Sequence, residues 1–193
     1  MKLLIINNHD SFTFNLVDLI RKLNVPYDVL NVEDLKESTA EKYSHILISP
    51  GPDVPQAYSQ LFSMLEKYHQ KKSILGVCLG HQTLCEFFGG TLYNLQKVRH
   101  GQKRILKVRS NSPLFFSLPS EFNIGLYHSW GVQKKDFPSC LEVTALCDEG
   151  VVMAMQHKSL PIYGVQFHPE SYMSDFGEHI LRNWLTIPTT INQ

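Results

Sequence analysis

The sequence carries little charge and contains no long hydrophobic run. Charged residues make up 19% of its 193 residues, and 18 basic residues balance 18 acidic ones. Such a chain has no general attraction for phosphate backbones or anionic lipids, so we expect no nucleic-acid partner. No stretch approaches the ~18 consecutive apolar residues of a membrane-spanning helix, and the N-terminal residues turn polar at Asn7 without a small-residue cleavage site. We therefore expect a cytoplasmic protein that does not bind membranes.

Cysteines are also few, and none of them forms a CxxC motif. The four are Cys78, Cys85, Cys140 and Cys147. Because 43% of the residues are hydrophobic, a chain of this length can build a core without disulfides, and we expect reduced thiols. With no HExxH motif and no closely paired ligands, we expect no metal. The length favours one domain over residues 1–193, with a frayed tail from about residue 188.

The first half of the chain alternates strand-like runs with helical patterns. Short apolar runs predict strands at Lys2–Ile6, Tyr27–Val32, His45–Ser49 and Ser73–Val77. Apolar residues at helical spacing predict helices over Phe12–Leu23, over Tyr58–Tyr68 and from just after Cys78 to Gly89. Strands that alternate with helices favour an α/β fold with a mostly parallel central sheet covered on both faces.

The second half is rich in strands joined by turns. The predicted strands are Lys103–Val108, Phe122–Tyr127, Leu141–Leu146, Val151–Gln156 and Ile162–Phe167. A last helix is predicted over Asp175–Leu185. Because the strands follow one another without intervening helices, we expect antiparallel additions to the same sheet. The expected architecture is a single-domain, three-layer sandwich.

The segment Gly76-Val77-Cys78-Leu79-Gly80 has the G-x-C-x-G form of a nucleophile elbow between a strand and a helix. Glycines on both sides of the cysteine permit the sharp turn, since larger residues would collide with the strand and the helix. The turn predicts that Cys78 is exposed at the carboxyl edge of the sheet, where the amides that begin the helix stabilise negative charge. We interpret Cys85, Cys140 and Cys147 as buried, unreactive thiols.

A thiol nucleophile needs a base, and His168-Pro169-Glu170 follows a strand-like run. Side chains two residues apart in extended backbone point to the same side, and Pro169 favours that geometry for His168. Glu170 can therefore orient His168, which would take the proton of Cys78 and return it to a leaving amine. We interpret the other histidines as surface or core residues (His9, His45, His69, His157, His179) or as residues that shape the site (His81, His100, His128).

These residues resemble those of class I, or triad-type, glutamine amidotransferases. The matching segments are Ser49-Pro50-Gly51-Pro52, Gly76-Val77-Cys78-Leu79-Gly80-His81-Gln82 and Gly164-Val165-Gln166-Phe167-His168-Pro169-Glu170-Ser171. They stand in the family's order and span most of the chain. The segment from Asn8 to Leu16 is similar to that of the glutaminase subunits of anthranilate synthase and aminodeoxychorismate (para-aminobenzoate) synthase. The resemblance implies a flavodoxin-related α/β sandwich.

The resemblance also implies a reaction and a set of site residues. Cys78 would attack the side-chain amide of L-glutamine, release ammonia and leave a glutamyl thioester that water hydrolyses. The backbone amides of Gly51 and Leu79 would form the oxyanion hole. The substrate-binding residues would be Gly51, Pro52, Gln82, Ser129 and Trp130. The family's usual Ser-Pro-Gly-Pro-Gly has Asp53 at its last position here, and Trp130 replaces the usual leucine.

The resemblance implies a partner, because no phosphate-cradling motif or metal cluster in the sequence points to a step that uses ammonia. The partner would be a chorismate-using synthase subunit that itself holds magnesium, while this chain needs no cofactor. We expect the partner to face His9, Asp10, Ser11 and a loop over residues 99–103. The alternatives are a stand-alone cysteine hydrolase, such as a peptidase or γ-glutamyl hydrolase, and a non-catalytic binding module. The anthranilate and para-aminobenzoate pathways remain equally open.

Overall fold

The computed structural model describes residues 1–189 and contains nine strands and four α-helices in that range. The strands are β1 (Leu3–Asn7), β2 (Tyr27–Asn31), β3 (His45–Ile48), β4 (Ser73–Val77), β5 (Leu92–Val108), β6 (Glu121–Val132), β7 (Leu141–Cys147), β8 (Val152–His157) and β9 (Ile162–Val165). The helices are α1 (Thr13–Lys22), α2 (Ser59–Tyr68), α3 (Leu79–Phe87) and α4 (Gly177–Thr186). Most of the predicted tail, residues 190–193, lies outside the described residues.

All nine strands form one sheet in the order β2-β1-β3-β4-β9-β8-β7-β5-β6. Neighbours from β2 to β9 pair in parallel, and neighbours from β9 to β6 pair antiparallel. Every residue of β1, β3, β4 and β9 is buried, as expected for parallel strands covered on both faces. The sequence-based prediction of a mostly parallel α/β sheet with antiparallel additions is confirmed for the described residues.

The helices pack in pairs on opposite faces of the sheet. On one face α1 and α4 bury Leu16, Ile20, Ile180 and Trp184. The Trp184 indole nitrogen donates a hydrogen bond to Ser73 Oγ at 3.0 Å, which ties the helix layer to the start of β4. On the other face α2 and α3 bury a second apolar cluster that contains Leu61, Leu65, Leu84 and Cys85. Within residues 1–189, no helix has the length and apolar character that crossing a membrane requires.

Two strands are much longer than the hydrophobic pattern predicts. Strand β5 begins at Leu92 rather than Lys103, and β6 continues to Val132 rather than ending at Tyr127. The two strands pair antiparallel, beginning with Leu92 opposite Val132. Backbone hydrogen bonds between them therefore maintain the extended structure, although the apolar residues of β5 do not alternate. The predicted loop over residues 99–103 is therefore wrong: this segment lies in β5, with a bulge between His100 and Gln102 at Gly101.

Candidate active site

The sharp turn between β4 and α3 places Cys78 at the N-cap of α3 with φ 52° and ψ −100°. The neighbouring glycines permit this turn, as expected. A Cβ at Gly76 would lie 2.3 Å from the carbonyl carbon and oxygen of Gly80, and a Cβ at Gly80 would lie 2.4 Å from Ile48 O. The Cys78 amide continues the sheet by donating to Val165 O at 2.8 Å.

The prediction that Cys78 is exposed is wrong, since the residue is only 6% exposed. The cover comes in part from Gln166, whose side-chain amide lies 3.5 Å from the Cys78 Sγ. Gln166 is itself fully buried. The sequence interpretation assigned no role to Gln166, although it precedes His168 by two residues and the extended-backbone rule applies to this pair as well.

His168 and Glu170 lie together as the sequence predicts. The His168 Nδ1 is 2.6 Å from Glu170 Oε1, and the two side chains are 1% and 0% exposed. Burial lowers the pKa of His168, but the neighbouring Glu170 carboxylate and the Cys78 thiol outweigh burial and hold that pKa well above its usual value. An imidazole in this setting readily accepts a proton and remains stable as a cation.

The second ring nitrogen of His168 is the one available to the thiol. His168 Nε2 is buried, and no hydrogen bond to it is present among residues 1–189. The Cys78 thiol is close enough to raise the pKa of His168, yet the pair lacks the geometry of a formed hydrogen bond. Catalytic hydrogen bonds are often loose before substrate binds. Nε2 of His168 can therefore take the proton of Cys78, while Glu170 holds the other side of the ring at Nδ1.

Strand β6 fixes the backbone around His168, which sequence patterns did not reveal. The His168 amide donates to Gly125 O at 3.1 Å, and Ser174 Oγ donates to His168 O at 2.5 Å. The Gly125 amide in turn donates to Ser174 Oγ at 2.9 Å. A Cβ at Gly125 would lie 2.8 Å from Ser171 Oγ, so this close approach needs glycine. His168 is thus held by a strand about forty residues earlier in the chain, as well as by its own segment.

The two residues whose backbone amides are predicted for the oxyanion hole, Gly51 and Leu79, are in close contact. A Cβ at Gly51 would lie 2.4 Å from Leu79 Cδ2, so the loop that carries Gly51 packs directly on the first residue of α3. Neither amide donates to a backbone carbonyl among the described residues. For Leu79 this follows from its place in the first turn of a helix, where amides have no partner within the helix. Both amides remain available to a negatively charged oxygen.

Asp53 lies in the loop after β3, at the position where the family motif usually has glycine. Asp53 adopts φ 70°, the left-handed region that glycine enters most easily and that Asp tolerates better than most residues. Asn8 holds the start of the loop, because its side-chain amide donates to Ser49 O at 2.8 Å. The carbonyl of the exposed Pro52 accepts a hydrogen bond from the Tyr58 hydroxyl at 2.8 Å. Asp53 is therefore compatible with the left-handed backbone that this turn requires.

Gln82 and the β6 segment meet beside Cys78. The buried Gln82 side chain donates to Trp130 O and to Gln166 Oε1, both at 3.1 Å. Ser129 and Trp130 are half-buried in β6. The structure therefore brings Gln82 and Trp130 together across 48 residues of sequence, and Gln166 links both of them to the thiol.

Several histidines are buried close to this site. His81 is fully buried in α3, and its Nδ1 would lie 2.6 Å from a Cβ at Gly164. His128 Nδ1 bonds to Trp130 O at 2.7 Å. His45 lies further away, where it packs edge-on against Trp184. Burial lowers the pKa of His81 to about 3 and the pKa values of His45 and His128 to about 4. All three are neutral at physiological pH.

These neutral histidines predict that mild acid weakens the fold. An unfolded histidine titrates near ~6.5, so between about pH 6.5 and 4 the unfolded chain binds protons that the folded chain excludes. Each such histidine lowers the free energy of unfolding by at most ~1.4 kcal/mol per pH unit in that window. His168 does not oppose this trend. Its raised pKa contributes stability that is complete below about pH 6.5 and is lost only as pH rises through the raised value.

Urea unfolding between about pH 7 and 4.5 measures this slope. The replacement His45→Gln removes the one of these three histidines that lies away from Cys78. It should reduce the change of unfolding free energy with pH by roughly 1 kcal/mol per pH unit. His179→Gln changes a half-buried histidine of α4, and it serves as the matched control. If His45→Gln and the unmodified chain lose stability in parallel, burial of His45 is not the cause.

The sequence matches the family model described as "Glutamine amidotransferase class-I" over residues 4–187. A Haemophilus influenzae protein named "Putative anthranilate synthase component II" is 88% identical over 192 residues, which cover 100% of both chains. A Bacillus subtilis protein named "Aminodeoxychorismate/anthranilate synthase component 2" is 36% identical over 188 residues, which cover 95% of both chains. The chain is therefore similar to these relatives over nearly its whole length.

A solved structure shows the same fold. It belongs to a Thermoplasma acidophilum protein described as a "putative gmp synthase subunit a protein", and the TM-score is 0.87 at 23% identity. The match covers 96% of this chain and 92% of that chain. At this identity the likeness establishes the mixed sheet with helices on both faces. The family match over residues 4–187 confirms the family expected from the motifs: the chain belongs to the class-I glutamine amidotransferases.

Proposed function

We propose that this chain is the glutaminase subunit of a chorismate-using synthase. It would hydrolyse L-glutamine to glutamate and ammonia in the cytoplasm and deliver the ammonia to the synthase subunit. The observation that supports this most directly is that His168 and Glu170 lie together beside Cys78, which stands at the start of α3. The side chains of His168 and Glu170 are in hydrogen-bond contact at 2.6 Å, and Cys78 contributes to the raised pKa of His168.

The first half of the reaction forms a thioester. His168 Nε2 takes the proton of the Cys78 thiol as Sγ attacks the amide carbon of glutamine, which gives a tetrahedral intermediate with a negatively charged oxygen. The amides of Gly51 and Leu79 would donate to that oxygen, and such donors contribute ~3 kcal/mol each in comparable sites. The carbon–nitrogen bond then breaks, and His168 returns the proton to the departing ammonia.

The second half releases glutamate. His168 removes a proton from water, whose oxygen attacks the thioester carbon, and the same two amides would bind the new oxyanion. The carbon–sulfur bond breaks and the proton returns to Cys78. Glu170 keeps Nδ1 of the imidazole protonated throughout and stabilises the cation that forms twice. Thiol, imidazole and water supply every proton transfer, so these steps require no cofactor in this chain.

The glutamine would lie between the Gly51 loop and β6. Gly51 and Pro52 border it on one side, and the main chain at Ser129 and Trp130 would bind its α-amino and α-carboxylate groups. Gln82 reaches Trp130 O at 3.1 Å, which places its side chain where it can hold that main chain or the substrate. Since Cys78 is only 6% exposed, glutamine would have to displace part of this cover, and the Gln166 side chain, 3.5 Å from the Sγ, is one group that would move.

The names of the relatives support the choice of partner. The Haemophilus influenzae relative is named as a component II of anthranilate synthase, and the name of the Bacillus subtilis relative includes aminodeoxychorismate synthase as well. We propose that this chain likewise serves a chorismate-using component I, which would hold the magnesium. The product would be anthranilate or 4-amino-4-deoxychorismate. Glutamine hydrolysis is identical in both cases, so the partner alone decides the pathway.

The test is to supply the purified chain with L-glutamine alone, and then with each candidate synthase subunit, chorismate and magnesium. Glutamate release and the aminated product are measured together. We expect one synthase subunit to raise glutamate release and to form its product from glutamine. Ammonium salt in place of glutamine is the control for the synthase, because it bypasses this chain.

Two outcomes would contradict the proposal. If the chain alone cleaves larger amides or peptides and neither synthase subunit changes its rate, it is a stand-alone cysteine hydrolase. If it has no activity with any amide, yet still binds a synthase subunit, it is a binding module.

A further inference from the structure

We propose that Phe12 and Tyr127 form an aromatic clamp that positions the His168 imidazole toward Cys78. This inference rests on the proposed function, in which His168 moves the proton. Neither residue was singled out by the sequence motifs as part of the site chemistry. Both would act through His168, and we therefore describe them as positioning residues.

The three rings are in mutual contact. The ring centroids of Phe12 and His168 are 5.2 Å apart at an interplanar angle of 67°, and those of Tyr127 and His168 are 4.9 Å apart at 66°. Phe12 and Tyr127 also contact each other, with centroids 4.6 Å apart at 48°. The contacts to His168 have the edge-to-face geometry that aromatic pairs prefer. The imidazole is therefore bounded by two rings that support one another.

Each ring is fixed by its own element. Phe12 is the N-cap of α1, and its amide donates to Asp10 Oδ1 at 2.7 Å. Tyr127 lies in β6, and its hydroxyl is hydrogen-bonded to Ser171 Oγ at 3.0 Å. Ser171 follows Glu170 directly, so the bond connects Tyr127 to the segment that carries the catalytic pair. The clamp thus joins α1 and β6 to His168, although all three are distant in sequence.

A second constraint is needed because the bond to Glu170 holds only one end of the imidazole. A single hydrogen bond at Nδ1 still allows the ring plane to tilt, which would move Nε2 away from Sγ. Rings packed against the imidazole restrict that motion, and they keep water from the bond to Glu170. Displacement of a reacting group by ~1 Å can cost about 100-fold in rate. The clamp therefore acts on the rate of proton transfer rather than on glutamine binding.

The variants Phe12→Leu and Tyr127→Leu test the clamp, and Tyr127→Phe restores the ring without its hydroxyl. Phe14→Leu is the matched control, since Phe14 is 61% exposed and only two residues from Phe12. Measured at saturating synthase subunit, we expect both clamp leucine variants to lower kcat for glutamine by about 10-fold and to change KM by less than about two-fold. We expect Tyr127→Phe and Phe14→Leu to remain within about two-fold of the unmodified chain.

An NMR titration of His168 in the free chain gives an independent readout. The titratable groups that face His168 are Glu170, Cys78, His128 and the Tyr127 phenol of the clamp itself. If the leucine variants loosen the imidazole, its coupling to Glu170 weakens and the pKa of His168 falls back toward its ordinary value. This measurement requires no glutamine hydrolysis. If the unmodified chain proves inactive, the proposed function fails, while the titration still decides whether the clamp exists.

Three results would overturn the clamp. The first is an unchanged kcat in both leucine variants, and the second is a rise in KM alone, which would mean that the rings bind substrate. The third is a pKa of His168 that neither variant shifts. Thermal unfolding shows whether each variant is folded. Should a leucine variant fail to fold, Phe12→Met fills a similar volume without an aromatic ring and replaces it in the comparison.

Discussion

Replacing Cys78 by alanine should abolish glutamine-dependent product formation, with a loss of more than about 10⁴-fold. The variant has no atom that can form the thioester, and no other thiol lies at the start of α3. His168 and Glu170 remain in place, but water alone is then the nucleophile. The synthase subunit should still form its product from ammonium salt at an unchanged rate, because that reaction does not involve Cys78.

Cys85→Ala is the matched control for this prediction. Cys85 lies in the same helix and is 0% exposed, and burial raises the pKa of its thiol to about 12. It is an unreactive core residue, so we expect its glutamine-dependent rate to stay within about two-fold of the unmodified chain. A rate for Cys78→Ala as high as that of Cys85→Ala would show that Cys78 has no special role.

Replacing Gly76 by alanine should destabilise the fold by at least about 3 kcal/mol. The added Cβ would meet two backbone atoms of Gly80 at 2.3 Å. Backbone at this point cannot move away, because Gly80 packs against Ile48 O on the neighbouring strand. The variant would have to open the turn that carries Cys78, so we expect loss of activity together with the loss of stability.

Gly89→Ala is the control that separates the steric clash expected at Gly76 from the strain of a left-handed backbone. Gly89 has φ +89°, and a Cβ there would contact nothing within 4 Å. This change imposes only the strain of a left-handed residue, about 1 to 2 kcal/mol. Urea unfolding of both variants at neutral pH measures the difference. If Gly76→Ala costs no more than Gly89→Ala, the close approach of Gly76 and Gly80 is not required by the fold.

The sequence predicts the parallel part of the sheet well because its strands are continuous apolar runs between turns. Strand β4 has the predicted bounds of Ser73–Val77. The extended parts of β5 and β6 could not be found this way, since many residues of β5 are exposed and its apolar residues do not alternate. Their structure depends on pairing with each other across a register that local patterns do not contain.

Some features of the candidate site could likewise be predicted from local sequence, and others could not. The contact between His168 and Glu170 follows from a local rule for extended backbone, and the glycines around Cys78 follow from the sterics of a tight turn. The cover over Cys78 and the contacts of Phe12 and Tyr127 with His168 join α1, β6 and the segment after β9. Such contacts depend on tertiary packing, and so the motifs predicted an exposed thiol where the structure has a buried one.

The burial of Cys78 also bears on the chemical lifetime of the protein. A nucleophilic thiolate is the form that peroxide oxidises to sulfenic acid and then, irreversibly, to sulfinic acid. At 6% exposure and with Gln166 against its Sγ, Cys78 offers such oxidants little access. In the proposed reaction, glutamine would open the site, and the thiol would then be consumed by thioester formation. The resting subunit thus shields its reactive sulfur from damage between turnovers.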